Sequence, residues 1–184
     1  MGEKSMETIL HVIWSHGQES GPWGTKLSRL VREAIEAGHQ ADSLDYRDLR
    51  DPDLRVQRLA EHCRDLSGAV VLCGSSLGGY VSLAAAPLVR PAGIFVLAPA
   101  VYLPGRADSV RGPFSCPVAV VHGWRDDVVP PENSVQFARE HRAALHLIDG
   151  DHRLRENIEE IVVYYLHFLN VLRRSLEEAS PCAS

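Results

Sequence analysis

Six short apolar segments alternate with segments of helical period along this chain, and this alternation constrains the fold more than any other feature. Strands that are apolar along their length are typical of a parallel sheet, because the connecting helices cover both of its faces. We therefore predict an α/β fold, a three-layer α/β/α sandwich around a mostly parallel sheet of about six strands. The predicted strands are residues 9–14, 40–44, 69–73, 93–97, 118–121 and 144–148, of which the second is only weakly apolar.

Two of the helical segments have recognisable ends. Gly38 follows an apolar stripe, and glycine suits the left-handed position just beyond a helix C-terminus. Asp51 followed by Pro52 is typical of an N-cap and the first helical residue after it. These signals place helix boundaries between the predicted strands, as an alternating α/β chain requires.

The length of the chain limits the number of domains. With 184 residues there is room for one ordinary domain around one core, so we predict a single domain across residues 1–184. Its core is expected to span about residues 9–172. Residues 99–113 combine prolines and glycines with mixed polarity, which predicts a short cap-like loop that is too small to form a separate lid.

Charge and composition narrow the classes of partner. The net charge of −5 is not that of a protein that binds nucleic acid or an anionic membrane. No run approaches the roughly 18 apolar residues of a membrane helix, and no export signal is recognisable, so we expect a cytoplasmic location. The cysteines form no close pair and the histidines no zinc-type spacing, which predicts reduced thiols and neither metal nor cofactor. The four cysteines are Cys63, Cys73, Cys116 and Cys182.

The segment Gly74-Ser75-Ser76-Leu77-Gly78 carries the strongest chemical signal. It lies between a predicted strand and a helical stripe, which is the context of a G-x-S-x-G nucleophile elbow. Such a turn strains the serine backbone, and glycines two residues before and after the serine avoid crowding. Only Ser76 has glycine at both positions, so Ser76 rather than Ser75 is the candidate nucleophile. A glycine-rich turn without chemistry is the alternative.

A serine nucleophile needs a general base, and the base needs a carboxylate that orients it. In chains built around such a nucleophile elbow the order is serine, acid, histidine. Asp126 follows the predicted strand 118–121, and His152 follows the predicted strand 144–148. Both residues therefore leave the carboxyl edge of a parallel sheet, as Ser76 does, and ligands of such sheets bind at that edge. The sequence predicts a catalytic triad of Ser76, an acid at Asp126 or the adjacent Asp127, and His152.

Taken together, these motifs resemble the α/β-hydrolase superfamily, and in particular its branch of small, lidless bacterial serine esterases, which includes the YqiA-like esterases. The resemblance covers most of the chain, and four motifs in one order are far more specific than any one of them. Those motifs are His16-Gly17, the nucleophile elbow, the H-G-x-x-D-x-x-V-P pattern from His122 to Pro130, and Gly150-Asp151-His152.

The resemblance has consequences for the acid, the oxyanion hole and the sheet. It implies that Asp126, and not Asp127, is the acid of the triad. The tetrahedral intermediate needs two N–H donors, one of which is expected from Leu77, the residue after the nucleophile. The resemblance assigns the other to the backbone of Gln18. It also implies a compact sheet in the strand order 2-1-3-4-5-6.

We therefore predict a serine hydrolase that cleaves a carboxylic ester through an acyl-enzyme intermediate. The short loop over residues 99–113 suggests an open site for small molecules with small or short acyl groups, with Trp23, Tyr102 and Leu103 as candidate pocket walls. A thioesterase or an amide or peptide hydrolase would use the same triad. A binding protein that keeps the fold without turnover is the alternative from another class.

Overall fold

All six strands of the sheet run parallel, in the order β2-β1-β3-β4-β5-β6. The computed structural model describes residues 8–102, 110 and 112–179. The predicted fold class and strand order are confirmed. The strands are β1 Leu10–Ser15, β2 Gln40–Leu44, β3 Ala69–Ser75, β4 Gly93–Leu97, β5 Val118–Gly123 and β6 Ala144–Ile148.

Helices cover both faces of the sheet. The five helices of the described residues are α1 Thr25–Glu36, α2 Pro52–Arg64, α3 Leu77–Val89, α4 Pro131–His141 and α5 Ile158–Ala179. Helices α1 and α5 pack on one face, and α2, α3 and α4 pack on the other. Side chains alternate between the two cores, so that Trp14 of β1 meets α5 while Ile13 faces the opposite layer. None of these helices has the length and hydropathy of a membrane span.

How apolar each strand is in the sequence depends on its position in the sheet. Strands β3, β4 and β5 lie inside the sheet and are buried almost throughout, whereas β2 lies at an edge and exposes much of its length. That position explains why β2 is only weakly apolar. At the helix ends, the side chain of Asp51 accepts from the N–H of Asp53 at 2.9 Å and Pro52 opens α2, as predicted. Helix α4 was not predicted, because few of its residues are apolar.

Candidate active site

Ser76 lies at the sharp turn between β3 and α3, with φ of 56° and ψ of −121°. This conformation is strained for a residue with a side chain and costs about 1–3 kcal/mol. Neighbouring backbone holds the turn. The N–H of Ser76 donates to the carbonyl of Leu97 at 2.9 Å, and its carbonyl accepts from the N–H of Ala100 at 3.0 Å. The hydroxyl of Ser76 caps no helix, so it is available for another partner.

Glycine is required on both sides of Ser76, for two different reasons. A Cβ added at Gly78 would lie 1.9 Å from the carbonyl oxygen of Ser15 at the end of β1. A Cβ added at Gly74 would lie 2.1 Å from the carbonyl oxygen of Gly78. A side chain at position 78 would therefore crowd the neighbouring strand β1, whereas Gly74 is required by the turn itself. Both clashes involve backbone atoms, which cannot rotate away.

The structure brings Ser76, His152 and Asp126 into one hydrogen-bonded chain. His152 Nε2 lies 3.0 Å from Ser76 Oγ, and His152 Nδ1 lies 2.7 Å from Asp126 Oδ2. A carboxylate can only accept, so Nδ1 carries the proton and Nε2 is left to accept from the Ser76 hydroxyl. The three side chains come from the loops after β3, β5 and β6, which meet at the carboxyl edge of the sheet.

Asp126 is buried and every one of its contacts favours the carboxylate. Its Oδ1 accepts from the N–H groups of Val128 at 2.9 Å and Val129 at 2.8 Å. Burial raises the pKa of Asp126, but the donors from Val129, His152 and Val128 outweigh it and hold the pKa below its ordinary value. The neighbouring Asp127 is exposed. Of the two adjacent carboxylates, only Asp126 therefore faces the histidine.

A second histidine, His122, contacts the same carboxylate from the other side. Its Nε2 lies 2.9 Å from Asp126 Oδ2 and 3.0 Å from the carbonyl oxygen of Val129, so this nitrogen carries the proton. Its Nδ1 lies 2.6 Å from Ser134 Oγ, which donates to it. Burial lowers the pKa of His122, which agrees with a neutral ring. Nothing in the sequence pattern pointed to Ser134, because it reaches the site through helix α4.

Lys26, in the first turn of α1, joins two of the loops of the site. Its ammonium donates to Ser75 Oγ at 3.0 Å and to the carbonyl of Arg153 at 2.9 Å. It therefore links the nucleophile elbow to the loop that carries His152. Burial lowers the pKa of Lys26 to about 8, against an opposing effect of Asp151. The sequence did not indicate this residue, because a lysine near the start of an amphipathic helix normally faces solvent.

The loop after β1 passes beside Ser76. A Cβ added at Gly17 would lie 3.5 Å from Ser76 Cβ. The buried ring of His16 holds this loop, because its Nε2 accepts from the N–H of Tyr46 at 2.9 Å and its Nδ1 donates to the carbonyl of Gly17 at 2.6 Å. Burial lowers the pKa of His16, so the ring is neutral in this arrangement.

The two residues predicted to form the oxyanion hole both line the same cavity as Ser76. Leu77 is the first residue of α3, and N–H groups in the first turn of a helix have no partner within it. Gln18 directly follows Gly17 in the loop after β1. Their role as oxyanion donors stays a prediction.

A cavity of about 630 Å³ opens above Ser76 and His152. Its apolar lining comes from Leu27, Leu77, Ala100, Val128 and Val129, and its charged lining from Glu19, Lys26, Arg153 and Arg155. Within residues 8–102, 110 and 112–179, no three metal-ligating side chains converge.

The predicted pocket walls need correction. Trp23 is exposed and does not line the cavity, although Gly21 and Gly24 on either side of it do. Tyr102 does not line it either, because its hydroxyl donates to the carboxylate of Glu140 on helix α4. Leu103 lies outside the described residues, as does much of the predicted cap-like loop over residues 99–113.

Comparison with known proteins places the chain in a family. The model of an uncharacterised protein family, UPF0227, matches residues 11–108. No protein with a curated description matches the sequence. A protein of the alpha/beta hydrolase superfamily from Xanthomonas campestris pv. campestris is 30% identical, with 88% of this chain and 98% of that chain covered and a TM-score of 0.82.

Two further solved structures share the fold at lower identity. Est1E from Butyrivibrio proteoclasticus is 17% identical, with coverage of 92% and 90% and a TM-score of 0.77. An α/β serine hydrolase without a lid from Xanthomonas campestris is 19% identical, with coverage of 100% and 88% and a TM-score of 0.69. The resemblance predicted from the motifs is confirmed: the chain belongs to the UPF0227 family and to the α/β-hydrolase superfamily.

Proposed function

We propose that this protein is a serine hydrolase that cleaves carboxylic esters of small molecules. The single observation that carries the proposal is the hydrogen-bonded chain from Ser76 Oγ through His152 to Asp126, with links of 3.0 and 2.7 Å. A hydroxyl is a weak nucleophile at neutral pH, and a histidine base held by a carboxylate is the arrangement that activates it. Membership of the α/β-hydrolase superfamily supports the same reaction class.

In the first half of the reaction, Ser76 Oγ attacks the ester carbonyl while His152 Nε2 takes the hydroxyl proton. Asp126 keeps the ring in the required tautomer and balances the imidazolium charge. The N–H groups of Gln18 and Leu77 bind the oxyanion of the tetrahedral intermediate. The intermediate then collapses, His152 returns the proton to the leaving oxygen, and the alcohol departs from the acyl-enzyme.

In the second half, water takes the place of the alcohol. His152 accepts a proton from the water as its oxygen attacks the acyl carbonyl, and the same two N–H groups bind the second oxyanion. Collapse releases the carboxylic acid and restores the hydroxyl of Ser76. Apart from the ester and water, each step uses only side chains and backbone N–H groups of this site.

The cavity favours small substrates. Its volume of about 630 Å³ accommodates a small ester, and its apolar lining suits a short acyl chain. We therefore expect p-nitrophenyl esters of short acids to be hydrolysed at least as fast as those of long acids. A strong preference for long chains would contradict the small-substrate proposal without affecting the triad. Matched oxygen and thio esters distinguish an esterase from a thioesterase, since both would use the same side chains.

The proposal is tested with a fluorophosphonate probe, which labels an activated serine whatever the natural substrate is. We expect labelling of the wild-type protein, mapped to Ser76 by mass spectrometry, and none of Ser76→Ala. The matched control is Ser75→Ala, which removes the adjacent hydroxyl and should still be labelled. Labelling mapped to Ser75, or no labelling of folded wild-type protein, would overturn the proposal and favour a binding protein.

A further inference from the structure

The charged side chains of the catalytic cavity are not balanced. Three cations, Lys26, Arg153 and Arg155, line it together with one anion, Glu19. The chain as a whole has a net charge of −5, so this excess of positive charge is local. Charges that line a cleft focus the field there and raise the local concentration of ligands of opposite sign.

The two arginines of the cavity are among the surface arginines that form no ion pair with a described residue. Five others pair with a carboxylate: Arg29, Arg32, Arg47, Arg58 and Arg125. Arg153 and Arg155 are both exposed, and neither guanidinium has a hydrogen bond or ion pair to another described residue. Because a guanidinium offers a planar fork that fits a carboxylate or a phosphate, these two side chains are available for an anionic ligand.

Lys26 adds a third cation, deeper in the same wall. An ammonium has three donors, and two are used by Ser75 Oγ and the carbonyl of Arg153. Both of these partners are neutral. The charged groups that act on it are Asp151 and Asp126, which favour its charge, and Arg155, which opposes it. Asp126 already accepts hydrogen bonds from His152 and from backbone N–H groups, and Asp151 is exposed. Neither carboxylate forms an ion pair with the Lys26 ammonium.

We propose that Lys26, Arg153 and Arg155 form a binding subsite for an anionic group on the substrate. The protein then prefers esters that carry a carboxylate or another anion a few atoms from the scissile carbonyl. This inference rests on the proposed function and specifies the substrate class of the same site. Burial lowers the pKa of Lys26 to about 8, and an anionic group bound beside this side chain would favour its charged form.

The test compares two esters that differ only at the far end of the acyl chain. They are p-nitrophenyl hexanoate, which is neutral, and the mono-p-nitrophenyl ester of adipic acid, which ends in a carboxylate. At low ionic strength we expect a higher kcat/KM for the adipate. In Arg155→Gln the ratio of adipate to hexanoate should fall about three- to fivefold, the range of a partly screened ion pair. The matched control, Arg139→Gln on helix α4, removes an exposed arginine outside the cavity and should leave the ratio unchanged.

Salt and pH provide two independent readouts. Sodium chloride at about 0.5 M should bring the ratio towards one, because screening weakens interactions between exposed charges. Lys26 loses its charge as the pH rises through about 8, so the KM for the adipate should increase between pH 7 and 9. The KM for the hexanoate should not follow that increase. Lys26→Arg, which stays charged, should abolish the pH dependence of the adipate KM.

The failure of this inference differs from the failure of the proposed function. An adipate-to-hexanoate ratio near one that neither Arg155→Gln nor salt changes would overturn the anionic subsite and leave the esterase intact. Absence of hydrolysis of both esters, together with absence of fluorophosphonate labelling, would overturn the proposed function and this inference with it. Circular dichroism of each variant confirms that the compared proteins are folded.

Discussion

The two ends of the sheet each carry a cavity with a potential nucleophile, and among the described residues only the one at the carboxyl end is hydrogen-bonded to a histidine. At the amino end, a cavity of about 490 Å³ is lined by Cys63, and burial raises the pKa of that thiol to about 11. At the carboxyl end, Ser76 Oγ lies 3.0 Å from His152 Nε2. A cavity that contains a nucleophilic atom is therefore not enough to make an active site. The loops that follow parallel strands converge at one edge only, and there a base and an acid can meet the nucleophile.

Residues with a positive φ occur both at the ends of helices and at the turn that carries Ser76. Arg90 and Arg142 have φ of 53° and 54° and directly follow the last residues of α3 and α4. Such residues commonly terminate helices, and there the strain serves to change chain direction. Ser76 has a similar φ of 56° but a ψ of −121°, outside the left-handed helical region, and it precedes its helix at the junction with a strand. A positive φ thus ends a helix at Arg90 and Arg142, whereas at Ser76 it forms the sharp turn that brings the hydroxyl to His152.

The largest effect is expected from removing Ser76 at the carboxyl end of the sheet, and none from removing Cys63 at the amino end. Ser76→Ala should lower kcat for p-nitrophenyl butyrate by about 10⁵- to 10⁶-fold, because no other group can form the acyl-enzyme. Cys63→Ala should leave kcat unchanged, since burial keeps this thiol protonated at neutral pH and the thiolate is the nucleophilic form. Steady-state kinetics of the purified variants measure both. A comparable loss in Cys63→Ala would mean that the two ends are not functionally distinct.

The next largest effect concerns the acid. Asp126→Asn should lower kcat by up to ~10⁴-fold, because a neutral amide favours the wrong tautomer of His152. Asp127→Asn is the matched control and should cost far less, since that side chain is exposed and outside the hydrogen-bonded chain. Both variants are compared by kcat after a check of folding. Similar losses at the two positions would contradict the assignment of Asp126.

An intermediate effect is expected at Lys26. Lys26→Met removes the hydrogen bonds to Ser75 Oγ and to the carbonyl of Arg153, so the two loops lose their direct link. Hydrogen bonds from charged donors are worth about 1.5–3 kcal/mol, which predicts a loss of kcat/KM for a neutral ester of roughly 10- to 100-fold. Lys26→Arg should recover part of the activity.

The matched control for Lys26 lies at the opposite end of the sheet. Arg64→Met removes a cation that lines the other cavity and should leave kcat/KM unchanged. An equal loss in Lys26→Met and Arg64→Met would show that net charge, rather than the link between the loops, is responsible.

The smallest effect is on stability and depends on pH. Burial lowers the pKa of His16 and of His122, so the unfolded chain binds more protons than the folded chain once the pH falls towards the ordinary histidine value of about 6.5. The free energy of unfolding should therefore decrease from pH 7 to pH 5. Below about pH 4 the lowered pKa of Asp126 should add a further decrease, because protonation removes the contribution of its carboxylate.

Urea denaturation at several pH values measures this dependence. In His122→Gln the decrease between pH 7 and pH 5 should be smaller than in the wild type, since one buried histidine no longer titrates on unfolding. A wild-type protein whose stability is constant over that range would contradict neutral, buried histidines at the carboxyl end.

Much of the fold and part of the site could be predicted from the sequence, because the governing interactions are local or repeat along the chain. Strands β3, β4 and β5 are covered by helices on both faces and are therefore apolar along their length. Their apolar segments are enough to identify them in the sequence. The need for glycine at Gly74 is also local, since a Cβ there would lie 2.1 Å from the carbonyl oxygen of Gly78 in the same turn. The need for glycine at Gly78 comes instead from the contact with Ser15 on β1. The order of the motifs then placed the candidate nucleophile, acid and base at one edge.

What only the tertiary structure decided depends on contacts between residues far apart in the sequence. Lys26 reaches Ser75 and Arg153, which lie 49 and 127 residues away. The hydroxyl of Tyr102 donates to Glu140 on α4, so its side chain does not line the cavity. No pattern in the sequence around Tyr102 reveals that partner. A side chain's direction depends on which atoms the fold places beside it. Local sequence encodes where the chain turns, whereas the walls, links and charge balance of a cavity arise only when its separate loops meet.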